Sequence, residues 1–291
     1  MPASLDNKKR LRFVITLGTG KFGTSQNNVI TLEGYRSTAD INKAGGMMMG
    51  ELRAKIYGVS QQDMNSITTL QWKPGFAIAN TVEVFAVDGA SEPLVFAGNI
   101  VNAWGDYQSM PDVFLQIQAQ AAYFSGLTLV QPYSIKGGID CATVMAKIAA
   151  QMGLKFENNN VNVTLTDVYL KSSPKDQALE LSRVANFSLY IDDKVLAITN
   201  NYAPRAGLIP EVSSSSGLVG YPTFDGVGVN FKTLFNPAIT FGGAVKLVTD
   251  VAQARGEWVV TSVSHMLEAE KPGGAWFSTV RGNANGLAIA K

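Results

Sequence analysis

A chain of 291 residues is long for one compact domain and suits two or three smaller ones. Its formal net charge of +1, with no basic run beyond Lys8-Lys9-Arg10, excludes the electrostatic footprint of a nucleic-acid reader, and its single cysteine, Cys141, excludes an internal disulfide and a cysteine-built zinc site. Charged residues make up 16% against a typical ~25%, which leaves two readings open: a surface covered by partners, or one solvated by amides and hydroxyls.

Residues 1–13 lack the apolar core of a signal peptide, and no run of about 18 apolar residues exists to span a membrane, so synthesis and residence in a cytoplasm are expected. Residues 10–17 and 28–41 are rich in β-branched and aromatic side chains with glycine-rich breaks between them, which predicts strands. Over 50–60, apolar Leu52, Ala54 and Ile56 alternate with Glu51, Arg53 and Lys55, the period-2 pattern of a strand with one wet face. Residues 61–70 suit a short helix capped by Ser60. Residues 80–89 and 92–108 read as a hairpin around Asp88-Gly89, and 113–126 continue the alternation with Gln116, Gln118 and Gln120 on the polar side. Many strands with short turns indicate a barrel or a sandwich.

The pattern changes near residue 136. Ile139, Val144, Ile148 and Met152 recur near helical spacing, with Asp140 as a cap and Gly153 as a stop. A second helix opens with Ser173 as cap, Pro174 in the first helical position and Asp176 in the first turn; Leu179, Leu181, Val184 and Ala185 form its expected apolar stripe. A hairpin through Asp192-Asp193 follows, then a Pro/Ser-rich linker over 201–217 and further strands to the end. The expected fold class is mainly β with a smaller α/β part: a β-barrel domain over 1–133, a small α/β domain over 134–204 and a second β-barrel domain over 205–291.

The motifs that carry chemistry are few. Gly18–Gly23, GTGKFG, has the spacing of a dinucleotide loop, but the residues after it read as turn and strand where the pyrophosphate site needs a helix N-terminus. A glycine-rich hairpin is the reading adopted, and no cofactor is expected. His265, the only histidine, has no GxSxG elbow, HExxH motif or second histidine to work with, and sits in an alternating strand pattern as a structural or interface residue. Asp192-Asp193 and Glu268/Glu270 read as solvated charge at turns. Met47, Met48 and Met49, set among glycines, suit either core or an adaptable protein contact. No catalytic or metal-binding set assembles, so no enzyme activity is expected.

The C-terminal third carries a resemblance. Gly220, Pro222 and Gly228 in one strand, Leu234-x-Asn236-Pro237, then Gly256-x-Trp258-x-Val260-x-x-Val263-x-His265 and Gly273-Gly274-x-Trp276-x-Ser278 together resemble the baseplate hub proteins of contractile-tailed bacteriophages. The N-terminal strands leading into residues 61–67 are similar to the tail-tube-like domain of that family, and the middle α/β module has a counterpart there. The resemblance implies a virion protein of the tail baseplate, made in the host cytoplasm. It implies a homotrimer whose two tube-like barrels per chain form a pseudo-six-fold ring between a hexameric tail tube and a trimeric spike. Its implied partners are the tail tube protein, the spike, other baseplate (wedge) proteins and the tape measure protein, with phage DNA passing through without specific binding, and no membrane. In that setting Met47, Met48 and Met49 become candidate interface residues. A tail-associated cell-wall hydrolase, or the spike base or hub of a non-contractile tail or secretion system, is the alternative.

Overall fold

The computed structural model describes residues 9–23, 27–44, 49–68, 79–89, 91–226 and 228–284. It divides into two units: Met1–Asn42 with Gly50–Ala121 and His265–Phe277, and Lys43–Met49 with Ala122–Ser264 and Ser278–Lys291.

In the first unit, strands β1 (Arg10–Thr16), β2 (Val29–Glu33), β3 (Ser37–Ala44), β4 (Glu51–Tyr57), β5 (Thr81–Val87), β6 (Leu94–Asp106) and β7 (Phe114–Gln120) pair in the order β2-β1-β5-β6-β7-β4-β3. Each neighbour pair in this order is antiparallel. The alternation seen in the sequence is the burial pattern: Leu52, Ala54 and Ile56 of β4 are buried between exposed Glu51, Arg53 and Lys55. Phe13, Ile15, Leu115 and Ile117 join them in the core, each such side chain contributing ~1.5–3 kcal/mol of burial. Helix α1 (Gln61–Ile67) starts where Ser60 accepts a hydrogen bond from the Asp63 N–H, and it buries Met64 and Ile67.

The second unit holds an α/β module and a β-region. Strand β8 (Tyr133–Asp140) leads into helix α3 (Cys141–Gln151), where the Asp140 carboxylate accepts from the Thr143 N–H at 2.9 Å. Short α2 (Tyr123–Leu127) precedes them. Strands β9 (Lys155–Asn159) and β10 (Thr164–Leu170) follow, then helix α4 (Pro174–Val184) with Ser173 as its cap, and the hairpin β11 (Phe187–Asp192) and β12 (Val195–Asn200). Strand β12 also pairs with β9 in parallel, and β10 pairs with β8. Val144, Met145 and Ile148 of α3 pack with Leu181 of α4 and with Leu196 and Ile198 of β12. The buried stripe of α4 is Pro174, Gln177, Ala178 and Leu181, at helical spacing, with Leu179 beside it; Val184 is exposed because the helix ends there, beyond the core.

The β-region comprises β13 (Glu211–Val212), β14 (Leu218–Asp225), β15 (Gly228–Leu234), β16 (Ala244–Leu247), β17 (Gly256–Ala269) and β18 (Trp276–Ala284), in the order β14-β15-β18-β17-β16-β13. Its core gathers Val229, Phe231, Phe241, Val245, Val260, Val263 and Val280. Strand β17 gives its residues from His265 onward to the first unit.

The fold is therefore mainly β with a smaller α/β part, the expected class. Closed barrels are not what forms. Among the described residues the pairings of each unit run from one outer strand to another without returning. Strand β2 shows why its side stays open: it is short, and its Glu33 is held by Arg10 at 2.9 Å, a charged rim that blunts an edge against further pairing.

Candidate functional site

Among the described residues of each unit, those singled out by the sequence do not assemble into one site. The GTGKFG stretch joins β1 to β2, which pair antiparallel from Arg12↔Glu33 to Thr16↔Val29. A dinucleotide site needs a parallel crossover through a helix, so this is a hairpin connection. His265 is buried at 5% exposure, in the row Val263, His265, Leu267, Ala269 on the covered face of β17. Met47 and Met48 lie outside the described residues; Met49 is buried at 5% against the apolar core of the α/β module.

Glu268 and Glu270 flank the β17–β18 turn beside a cavity of about 470 Å³ lined also by Lys9 and Lys271. Glu268 receives hydrogen bonds from Lys271 at 2.7 Å and from the Ala275 N–H at 2.8 Å, and these hold its carboxyl below the ordinary range. A carboxyl so held is a poor general acid at neutral pH, which removes it from the acid position of a glycosidase pair. Among the described residues no group of three or more His, Cys, Asp or Glu is placed to hold a metal ion.

Two other features stand out. The first is a polar sheet face in the first unit. Across β3, β4, β7 and β6 the register aligns Thr38, Lys55, Gln116 and Trp104; then Asp40, Arg53, Gln118 and Asn102; then Asn42, Glu51, Gln120 and Asn99. The opposite face is apolar, with Ile41, Leu52, Ala119 and Ile100 in one row. The wet face thus carries a ladder of amides, and its two bases, Arg53 and Lys55, are outnumbered by its three acids, Asp40, Glu51 and Asp106.

The second is a buried charge cluster in the second unit, which the sequence reading missed. Lys43 donates from Nζ to Asp192 Oδ1 at 2.8 Å and to Asp193 Oδ2 at 2.7 Å. Asp192 uses its other oxygen for Arg205 Nη1 at 3.0 Å, so it bridges the two cations. Arg205 grips Glu157 with Nε and Nη2, at 3.1 and 2.9 Å, and also donates to the Phe241 carbonyl at 2.9 Å. Burial alone would lower the Lys43 pKa, but Asp192 and Asp193 outweigh it and raise it. Burial would likewise raise the Asp192 carboxyl, and Lys43 and Arg205 overcome that and hold it low. Both cations stay charged and both have their donors directed at acceptors, so the arrangement holds segments together and offers no nucleophile or proton shuttle. The pair read as a solvated turn is thus a buried anchor.

Among curated proteins, none matches the chain significantly in sequence. A tail protein from Neisseria meningitidis MC58 has a similar structure, with a TM-score of 0.63 at 10% identity, over 94% of this chain and 97% of that one. The 43 kDa tail protein of prophage MuSo2 from Shewanella oneidensis follows at 0.61 and 9%, over 95% and 96%. The E. coli c3393 protein, a type VI secretion system component with structural similarity to T4 bacteriophage tail proteins gp27 and gp5, reaches 0.56 at 9%, over 92% and 76%. At these identities the structures speak for the fold. The family model for Baseplate hub gp41 matches residues 11–272, nearly the whole length, and on that match the chain belongs to the Baseplate hub gp41 family.

Proposed function

We propose that the chain is the structural hub of a phage tail baseplate and not an enzyme. In this reading three copies form a pseudo-six-fold adaptor between the hexameric tail tube and the trimeric spike. The organisation into a tube-like part over 1–133, an α/β part over 134–204 and a second tube-like part over 205–291 belongs to the same proposal. The observation that carries it is the family match over residues 11–272. Further partners are the wedge proteins of the baseplate and the tape measure protein, and the chain resides in the virion tail.

The polar face of β3, β4, β7 and β6 supports a role as channel wall. A wall rich in neutral amides, with no excess of basic side chains, gives a polyanion no phosphate-binding site, and non-specific DNA affinity comes mainly from unbalanced Lys and Arg. Phage DNA would pass it without specific binding. Met47, Met48 and Met49 remain candidate interface residues within this proposal, although burial of Met49 in its own chain favours a core role for that residue.

The fold similarity to a type VI secretion component favours a second reading, a hub in a non-contractile tail or secretion assembly. A sheath gene beside the coding sequence separates the two. The proposal is tested by mass measurement and imaging of assembled tails: three copies between tube and spike are expected, and two or six copies, or a location elsewhere in the particle, would overturn it. Robust cell-wall degradation by purified protein would establish the hydrolase instead.

A further inference from the structure

The α/β module (β8–β12) and the β-region (β13–β18) of the second unit are joined by residues 201–210, which form no helix or strand. The apolar contact between the two is narrow. From the module, Tyr190 and Ala197 enter the core of the β-region, with Val195 packed against it. Tyr190 meets Phe241 edge-on, with 5.1 Å between ring centroids. A buried tyrosine covers ~150–250 Å². An interface between domains takes ~600–1,500 Å², and relative motion is the default unless that contact is large and apolar.

Arg205, midway along the joining segment, is bonded to both sides. Toward the module, Nε and Nη2 grip Glu157 of β9 at 3.1 and 2.9 Å, and Nη1 donates to Asp192 of β11 at 3.0 Å. Toward the β-region, Nη1 also donates to the Phe241 carbonyl at 2.9 Å, and the Arg205 backbone N–H donates to the Gly242 carbonyl at 2.8 Å. The next N–H, of Ala206, donates to Asn159 Oδ1 of β9 at 2.7 Å. Gly242 shows how closely the two sides approach: its φ is +79°, and a Cβ there would lie 2.9 Å from the Tyr190 ring and 3.0 Å from Arg205 Cδ. The Arg205 side chain is only 10% exposed, so its charge-assisted bonds are shielded from water.

We propose that Arg205 is the clamp of a hinge. Seated between Glu157, Asp192 and the Phe241 carbonyl, it fixes the angle of the α/β module on the β-region, and withdrawing it frees the module to pivot about the joining segment. The distribution of its bonds decides for a clamp over a residue that only satisfies its own charge, since one carboxylate would be enough for that. Arg205 divides three side-chain nitrogens among three acceptors that belong to both sides, and its planar fork fixes their relative directions. One of those acceptors is itself held, because Lys43 occupies the other oxygen of Asp192 at 2.8 Å.

The test measures the distance between module and β-region in the full-length chain. Spin labels go on Tyr169→Cys of β10 and Thr279→Cys of β18, both exposed positions; native Cys141 is buried and stays unlabelled. Pulsed electron resonance should give one narrow distance while Arg205 is present. In Arg205→Gln, Asp192 keeps Lys43 and Glu157, at 33% exposure, can reach water, so the chain should fold. Below its melting transition that variant should show a broadened distance or a second population. A folded Arg205→Gln chain with the parental narrow distance would overturn the proposal, because the apolar contact alone would then hold the two parts. A broad distance in the chain that retains Arg205 would overturn it equally. If Arg205→Gln fails to fold, Arg205→Lys takes its place: it keeps the buried charge, but one nitrogen cannot span all three acceptors. Broadening is expected there too, and a parental width would sink the clamp.

Discussion

Lys43 Nζ lies between Asp192 Oδ1 and Asp193 Oδ2, at 2.8 and 2.7 Å, although 149 residues separate it from the first of them. The lysine leaves the end of β3, and the two acids sit at the turn of the β11–β12 hairpin. All three side chains are nearly inaccessible. A buried pair of this kind gains little over an apolar replacement, yet losing one partner strands the other without water. Lys43→Met should therefore destabilise the chain by ~3–5 kcal/mol. Adding Asp193→Asn should recover part of the loss, because Asp193 has lost its lysine whereas Asp192 keeps Arg205. Urea unfolding of the single and double variants measures this. A single variant as stable as the parent would show that the cluster contributes nothing.

The same cluster sets a pH dependence. The Asp192 carboxyl is held below its ordinary value and so is Glu157, chiefly by its hydrogen bond from Arg205. A depressed folded pKa means the unfolded chain takes up protons first as pH falls. The stabilisation is complete above the unfolded carboxylate range of ~4 and is lost as pH drops through the lower folded values. Lys43 has the opposite sign: its raised pKa gives stabilisation that is complete below the unfolded value of ~10.4 and is lost as pH rises through the folded one. Melting temperature should then be flat with respect to these groups from about pH 5 to pH 9 and fall on both sides. In Lys43→Met the alkaline fall from this residue should vanish; an unaltered alkaline limb would assign that limb to other groups.

What could be read from the chain and what could not divides by distance along it. Ser60, Asp140 and Ser173 were legible as helix caps because a cap bonds an N–H three residues away, and each does so. The two-residue alternation of β4 was legible because one face of its sheet is buried. The partnership of Lys43 with Asp192 left no local mark, since an Asp-Asp pair at a turn has the same spacing whether water or a lysine from another strand meets it. Val184 was misplaced because periodicity alone does not say where the core stops along a helix. Barrel closure failed for a related reason: alternation specifies the faces of strands and not whether the last strand meets the first.

The two tryptophans quoted in the C-terminal motif should respond differently. Trp276 is buried at 4% exposure, whereas Trp258 is only partly covered, packs at the margin of the β-region core, and donates from Nε1 to the Ala254 carbonyl at 2.9 Å. Trp276→Ala should cost ~3–5 kcal/mol, as large core truncations do. Trp258→Ala should cost less, part of it the ~1 kcal/mol of that hydrogen bond, and Trp258→Phe should restore the packing without the bond. Chemical denaturation of the three variants gives the order, and a larger loss at Trp258 than at Trp276 would contradict it.

His265 allows the reading without catalysis to be tested at one residue. It occupies a buried position in a row of β17 with Val263, Leu267 and Ala269, so removing its ring opens a cavity whatever its role. His265→Ala should lower the melting temperature, and loss of function from that variant alone would decide nothing. His265→Gln keeps a polar group of similar length and cannot act as an imidazole base or nucleophile near neutral pH. Tails assembled with His265→Gln should form in normal number and infect at close to the parental titre. Fully assembled His265→Gln tails that attach but fail to deliver DNA would show that the imidazole has a function beyond packing.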